Sequence, residues 1–412
     1  MKNQILLFTL ATSIALFGCS NNEKSFNKAA GDQILSELKY NAKDPQDLIE
    51  SAVRQNAAPS VIKKVLKKGG SLQGALQNGD NLQYLAASPE MIKFLRENSV
   101  PLNFVNNEGV PAMFLYKDAA LAQTALDLLY EEFKGNFKAI KDKKEVLKKI
   151  VSSFDANPLD YAENAEVANL WIDLGADLNK SKTNGSPLAV NLGKGNLELF
   201  NLFLEKGADV SYPFTFYQEE EGGIFNPFKK RVIEKKGNIL TYVLVKARSD
   251  YMENKEVSKI FAKYKPFFDL LFKYGADANI DSSTTVQLIF DLSIDGNIDF
   301  IKYFLDKGLS VNAKTKDGNT LWDLEILYFN SNYRSRDANF ALAFLLLEKG
   351  LNPSETWTSK GKDEYGIKDL SGFLEAASSE KNADEIQELL LKKGVPPMPW
   401  NSYLKQKLTP NK

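Results

Sequence analysis

Most enzyme chemistry needs residue types that this chain of 412 residues scarcely contains: there is no histidine, and the single cysteine is Cys19. Without histidine the commonest general base and metal ligand is gone. Ser-His-Asp, Cys-His and two-histidine zinc arrangements are therefore excluded. Carboxylates are abundant in a sequence that is 25% charged. A paired-carboxylate hydrolase stays chemically possible, but no pair is set apart by apolar surroundings. Gly193-Lys194-Gly195-Asn196 has the residue types of a phosphate loop, yet no strand precedes it, and it falls in a turn between two helical segments. Lys and Arg (52) nearly cancel Asp and Glu (53), which leaves no electrostatic footprint for nucleic acid. The expectation is a chain with no catalysis, cofactor or metal. The one reactive group left is the thiol.

That thiol sits at a boundary. Lys2 is followed by the apolar run from Ile5 to Leu16. The run is too short to span a bilayer, which takes roughly 20 apolar residues, but it has the length and flanks of a signal-peptide core. It ends in Leu16-Phe17-Gly18-Cys19, which resembles the lipobox of bacterial lipoproteins, although Phe17 is bulkier than the small residue usual there. The resemblance implies cleavage after residue 18 and a lipid on Cys19, which also removes a free thiol from an oxidising compartment. It further implies a membrane-bound protein of the cell envelope. With Ser20 in place of a retention aspartate, it implies sorting to the outer membrane, facing the periplasm.

Behind the anchor, the composition (43% hydrophobic, 11% aromatic) supports a sizeable core without disulfides. One phrase recurs through it. Leu174-Gly175-Ala176-Asp177-Leu178-Asn179 returns as Lys206-Gly207-Ala208-Asp209-Val210-Ser211 and as Tyr274-Gly275-Ala276-Asp277-Ala278-Asn279. Further copies end at Gly308, Gly350 and Gly394, and worn ones at Gly69 and Asn98. Gly175 and Gly207 are 32 residues apart, and Gly275 and Gly308 are 33 apart; Gly207 to Gly275 is 68, either two units or one with an insertion. A second signature, Asn184-Gly185-Ser186-Pro187-Leu188, has weaker versions around Gly109 and Gly318.

Period and phrase together resemble ankyrin repeats. The resemblance implies an all-α fold: an ankyrin-type helix-turn-helix solenoid with hairpin loops, each second helix closed by a left-handed glycine. Helix pairs are expected over 44–68, 80–97, 110–133, 157–174, 185–206, 237–274, 284–307, 319–349 and 369–393. The histidine that normally bridges neighbouring repeats in the family is absent throughout, so those bonds must be made otherwise. The expected organisation is a signal peptide over 1–18, a lipidated tether over 19–43, the solenoid over 44–398 and a tail over 399–412. A further helix is expected near 28–40, and Asp44-Pro45 should start the array as N-cap and first helical residue.

Insertions in repeat proteins map to loops, often on the binding face. The largest one here runs from Tyr212 to Arg231, with six aromatics, an acidic run and a basic run. Phe214 and Phe216 are expected to cover core. Tyr217, Phe225 and Phe228 are expected to meet a partner, with charge as the rim. Lys134 to Ser153 is lysine-rich around Val146, Leu147, Ile150 and Val151, and reads as the solvated face of a packed helix in preference to a membrane-surface helix. Polar extensions over 330–337 and 355–363 follow, the latter with Trp357 as a contact candidate. Lys182 and Lys316 lie at hairpin tips and complete the candidate contact set. Within the family resemblance the sharpest partner is a toxic effector that an immunity protein neutralises; the alternative is a lipid-tethered scaffold of an envelope complex.

The anchor is directly testable. Cys19→Ser should abolish incorporation of a radiolabelled fatty acid, because the thioether requires that sulfur. Label retained by the variant would refute the lipid site.

Overall fold

In the computed structural model, the described residues are 25–40, 42–73, 76, 79–181, 185–220, 231–254, 256–293, 297–316, 318–322, 341–351, 388 and 392. They divide between two compact units, Met1–Phe154 and Asp155–Lys412. Among the described residues no helix is long and apolar enough to cross a membrane.

In the first unit, α1 (Lys28–Lys39) packs on α2 (Pro45–Arg54) and α3 (Pro59–Leu66). The Asp44 carboxylate accepts the Gln46 N–H at 2.8 Å, and Pro45 occupies the first helical position. Prolines likewise open α3 and α4 (Pro89–Glu97), where the missing N–H costs nothing. α5 (Ala119–Phe133) follows, and α6 (Lys143–Ser152) lies against it. Val146, Leu147, Ile150 and Val151 form the buried stripe of α6. Two of its lysines pair on the solvent side, Lys143 with Asp127 at 2.9 Å and Lys148 with Glu145 at 2.7 Å. The lysine-rich stretch is thus the outer face of a packed helix.

The second unit runs through α7 (Ala165–Asp173), the pair α8 (Pro187–Lys194) and α9 (Leu197–Glu205), and the pair α10 (Ile239–Asn254) and α11 (Val257–Lys273). It continues with α12 (Ser282–Leu292), α13 (Asp299–Asp306) and α14 (Ala341–Glu348). Phenylalanines tie successive second helices together: Phe200 of α9 meets Phe267 of α11 edge-on at 5.0 Å, and Phe268 of α11 meets Phe304 of α13 at 5.2 Å. Phe200, Phe268 and Phe304 are fully buried, each contributing about 1.5–3 kcal/mol of hydrophobic stabilisation.

Three of the expected pairs have a shortened first member. Where full helices are expected before α4, α5 and α7, the chain makes single 3-10 turns at Leu82–Leu85, Ala112–Phe114 and Pro158–Asp160. The reason is length. The N-caps Asn81 and Ser88, Pro111 and Asp118, and Asn157 and Asn164 are each seven residues apart, against ten from Ser186 to Asn196 around α8. Three residues fewer remove about one turn.

Each recurring glycine among the described residues closes its helix in the left-handed region, and Gly394 lies outside them: φ is +105° at Gly69, +82° at Gly175, +98° at Gly207, +90° at Gly275, +94° at Gly308 and +92° at Gly350. The following N–H then reaches back five residues, as from Ala208 to the Phe203 carbonyl and from Ala276 to the Leu271 carbonyl, both at 2.9 Å. This six-to-one bond defines the Schellman cap. In the worn copy the left-handed residue is Ser99 (φ +66°), not Asn98, because Val100 makes the equivalent bond to Leu95. The 68-residue gap resolves as one unit with an insertion, since α10 and α11 are both long and a strand pair precedes them.

The rest of the phrase joins repeats. Asp177, Asp209 and Asp277 each accept, at 2.8 Å, the N–H two residues on. The Asn179 side chain then accepts the Asp209 N–H at 2.7 Å, and Asn279 accepts the Ser310 N–H at 2.9 Å while donating to the Gly308 carbonyl at 2.9 Å. Asparagine thus makes inter-repeat bonds of the kind the missing histidine would supply. At the second of these turns Ser211 stands in the asparagine's place and donates its hydroxyl to Asp209 at 2.7 Å. Those bonds hold the Asp209 carboxyl below its ordinary range. The insertion enters at this turn.

A left-handed site penalises any Cβ by about 1–2 kcal/mol. Gly275→Val should therefore lose on the order of 1–2 kcal/mol in denaturant melts although open space surrounds its Cα. Ser99→Gly should instead gain up to about 1 kcal/mol. Equal midpoints for all three proteins would show that the caps are misplaced.

Candidate functional site

The insertion after Gly207 is a β-hairpin. β1 (Phe214–Glu220) pairs antiparallel with β2 (Arg231–Gly237), with Phe216 opposite Lys235 and Tyr217 opposite Glu234. Strand alternation sends Phe214 and Phe216 to one face and Thr215 and Tyr217 to the other. The two phenylalanines are buried and 5.8 Å apart, and they pack on Tyr242 of α10 at 5.7 and 5.1 Å. Burial also pushes the Tyr242 hydroxyl up from its ordinary pKa. Gly237 lets the hairpin close onto α10: a Cβ there would lie 3.2 Å from Thr241 and 3.4 Å from the Phe216 ring. Three rings and a close backbone approach thus fix the base of the hairpin to the helices.

Tyr217, on the opposite face, is 69% exposed. A large aromatic held out by a braced strand gives contact area at low entropic cost. Two clefts flank the hairpin. One, of about 430 Å³, borders β1 and includes Lys180, Ser181, Gly185, Tyr217 and Tyr242. The preceding tip narrows it, because a Cβ on Gly185 would fall 2.2 Å from the Phe214 ring and 2.9 Å from the Thr215 carbonyl oxygen. The other, of about 610 Å³, lies between β2 and α12 and includes Lys235, Lys236, Arg248, Asp291 and Lys316. Across its floor the Arg248 guanidinium holds Asp291 at 2.5 Å, and Gln287 donates to the second carboxylate oxygen at 3.0 Å.

Of the residues expected to meet a partner, Tyr217 and Lys316 are placed, and both are exposed. They border different clefts, so they do not share one pocket. Lys182, Phe225, Phe228 and Trp357 lie outside the described residues, as does Cys19. Sequence reasoning missed Lys235, Lys236, Arg248, Gln287 and Asp291. The alternation Phe214-Thr215-Phe216-Tyr217 could have revealed the strand and hence its partner. Nothing local could have paired Arg248 with Asp291, 43 residues on. Gly193-Lys194-Gly195 is structural: Gly195 caps α8 at φ +67°, and Lys194 donates to the Asp160 carbonyl of the preceding repeat at 2.8 Å.

The two faces of β1 should respond differently to truncation. Phe216→Ala should cost about 3 kcal/mol, the lower end for a buried phenylalanine. Tyr217→Ala should stay within about 0.5 kcal/mol, as for an ordinary surface change. Chemical denaturation of the two variants decides it, and comparable losses would mean that Tyr217 is part of the packing.

No protein-family model matches the sequence, and no curated protein does. Among solved structures the chain is similar to an ankyrin repeat domain from Acinetobacter baumannii, at 17% identity over 56% of this chain and 93% of that one, with a TM-score of 0.32. It is also similar to the ankyrin repeat domain of human ASB11, at 13% identity over 74% and 98%, with a TM-score of 0.31. Superposition at this level carries no argument by itself. The fold is an ankyrin-type helical repeat, and that rests on the chain's own recurring helix pair, glycine cap and Asp-x-Asn turn.

Proposed function

We propose that this chain is a protein-binding repeat module, tethered to a membrane by lipid on Cys19, and that the hairpin between α9 and α10 is where it meets its partner. The observation that carries the reading is the contrast along β1. Phe214 and Phe216 hold the strand down while Tyr217 stands 69% exposed beside the smaller cleft. Hot spots favour tyrosine, tryptophan and arginine on rigid supports with clefts beside them. Lys180 on the β1 side, with Glu234, Lys236 and Lys316 on the β2 side, supplies the polar rim that such an interface needs. The lipid tether rests on the sequence around Cys19 and would confine encounters to a membrane surface.

A photo-crosslinking residue in place of Tyr217 tests the site in cells. It should give a discrete covalent adduct with one partner, and the same residue at Lys259 on α11 should give none. Once that partner is in hand, Tyr217→Ala should weaken its binding at least about tenfold, equal to roughly 1.4 kcal/mol. Identical adducts from both positions, or none from position 217, would remove the hairpin from the interface.

A further inference from the structure

The two edges of the hairpin differ, and the difference names an occupant. Among the described residues the sheet has two strands, so each has one side not paired to the other. On the β1 side the preceding tip presses against Phe214 and Thr215. On the β2 side Glu234, Lys235 and Lys236 all line the larger cleft. Consecutive strand residues point to opposite faces, so three in a row can border one cleft only if it runs along the strand's edge. The opposite wall is α12 and the Lys316 tip, and the floor is α10. An edge strand facing a groove is a template for main-chain pairing.

Charge decides what kind of chain fits. The cleft carries Lys235, Lys236, Arg248 and Lys316 against Glu234, Asp281 and Asp291. Two of the acids are engaged: Asp291 is held by Arg248 and Gln287, and Asp281 caps α12, accepting from the Thr284 N–H at 3.4 Å. With Arg248 set against Asp291, Lys236 and Lys316 outnumber the one remaining carboxylate, Glu234. Towards α10 the lining turns to Thr241, Val245 and Leu288. Resting on the protein-binding reading above, we infer that this cleft takes an extended segment of the partner as a third strand against β2. Its residues facing α10 are small and aliphatic, and those passing between Lys236 and Lys316 are acidic.

The test uses the full chain in detergent and a capped eight-residue peptide of alternating valine and glutamate, followed by fluorescence anisotropy. This peptide should bind at least about tenfold more tightly than a valine–lysine counterpart, because like charges across an interface repel. It should also outbind, by a similar margin, a version with alternate backbone nitrogens methylated, which removes the main-chain bonds along one edge. The double variant Lys236→Glu, Lys316→Glu, with its melting temperature unchanged, should reverse the preference to the lysine peptide. Equal binding of the methylated peptide overturns strand addition, and an unreversed preference overturns the lysines as readers. Binding to anionic phosphatidylglycerol vesicles through those lysines, with no peptide binding, assigns the cleft to a membrane and overturns the proposal. If position 217 still crosslinks its partner while the peptides fail, the protein-binding reading stands and this one falls.

Discussion

Everything described depends on a backbone reversal that L-residues resist. Each described second helix other than α5 ends on a residue at positive φ, and only there does the next N–H turn back to the carbonyl five residues before it. That reversal sets the direction in which Ala-Asp-x-Asn leaves the helix, and so where the asparagine side chain meets the following turn. Move the cap by one residue and Asn279 no longer lies opposite Ser310. The apolar faces of α9, α11 and α13 can stack phenylalanine on phenylalanine because the caps hold their spacing constant. A local conformational cost of a kind that glycine avoids thus sets long-range packing.

The same dependence explains what the sequence made legible. Glycine phrases are local and repeated, so the helix pairs, the Asp44-Pro45 start and the left-handed positions could be located from residue types alone. The shortened first helices are also written there, in the seven residues from Asn81 to Ser88 and from Asn157 to Asn164, a spacing that the family period masks. Gly79 is a further local signal of this kind. Its φ of +85° and its turn, in which the Leu76 N–H meets the Asp80 carbonyl, match those at Gly109 and Gly318. Asn78-Gly79-Asp80-Asn81-Leu82 is a copy of the tip phrase that went unread. What could not be read was long-range. Arg248 finds Asp291 through the packing of α10 on α12, and the three-ring contact of Phe214, Phe216 and Tyr242 exists only once the hairpin has folded back.

The hairpin also shows how an interruption is accommodated. It enters at the one turn where Ser211 replaces the asparagine and satisfies Asp209 from within. The joint that would otherwise clasp the next repeat is closed locally, and the lost connection is made good by rings on α10. The candidate site is therefore built where the regular device is suspended. Its supports are the helices beside it, on which Phe214 and Phe216 pack, and Tyr217 faces away from them.

The asparagine joint has a bearing on how such a chain changes over generations. Asn179 and Asn279 present the same atoms to the same place in the next turn, Asp209 in one case and Ser310 in the other. A crossover in the gene between the two phrases would excise two helix pairs, α8 with α9 and α10 with α11, together with the hairpin, and leave Asn179 facing Ser310 in the register it already uses. Inheritance can then add, drop or trade entire recognition elements in a single event, while point changes in the caps are selected against. Lineages carrying this architecture should differ by modules more readily than by residues at the joints.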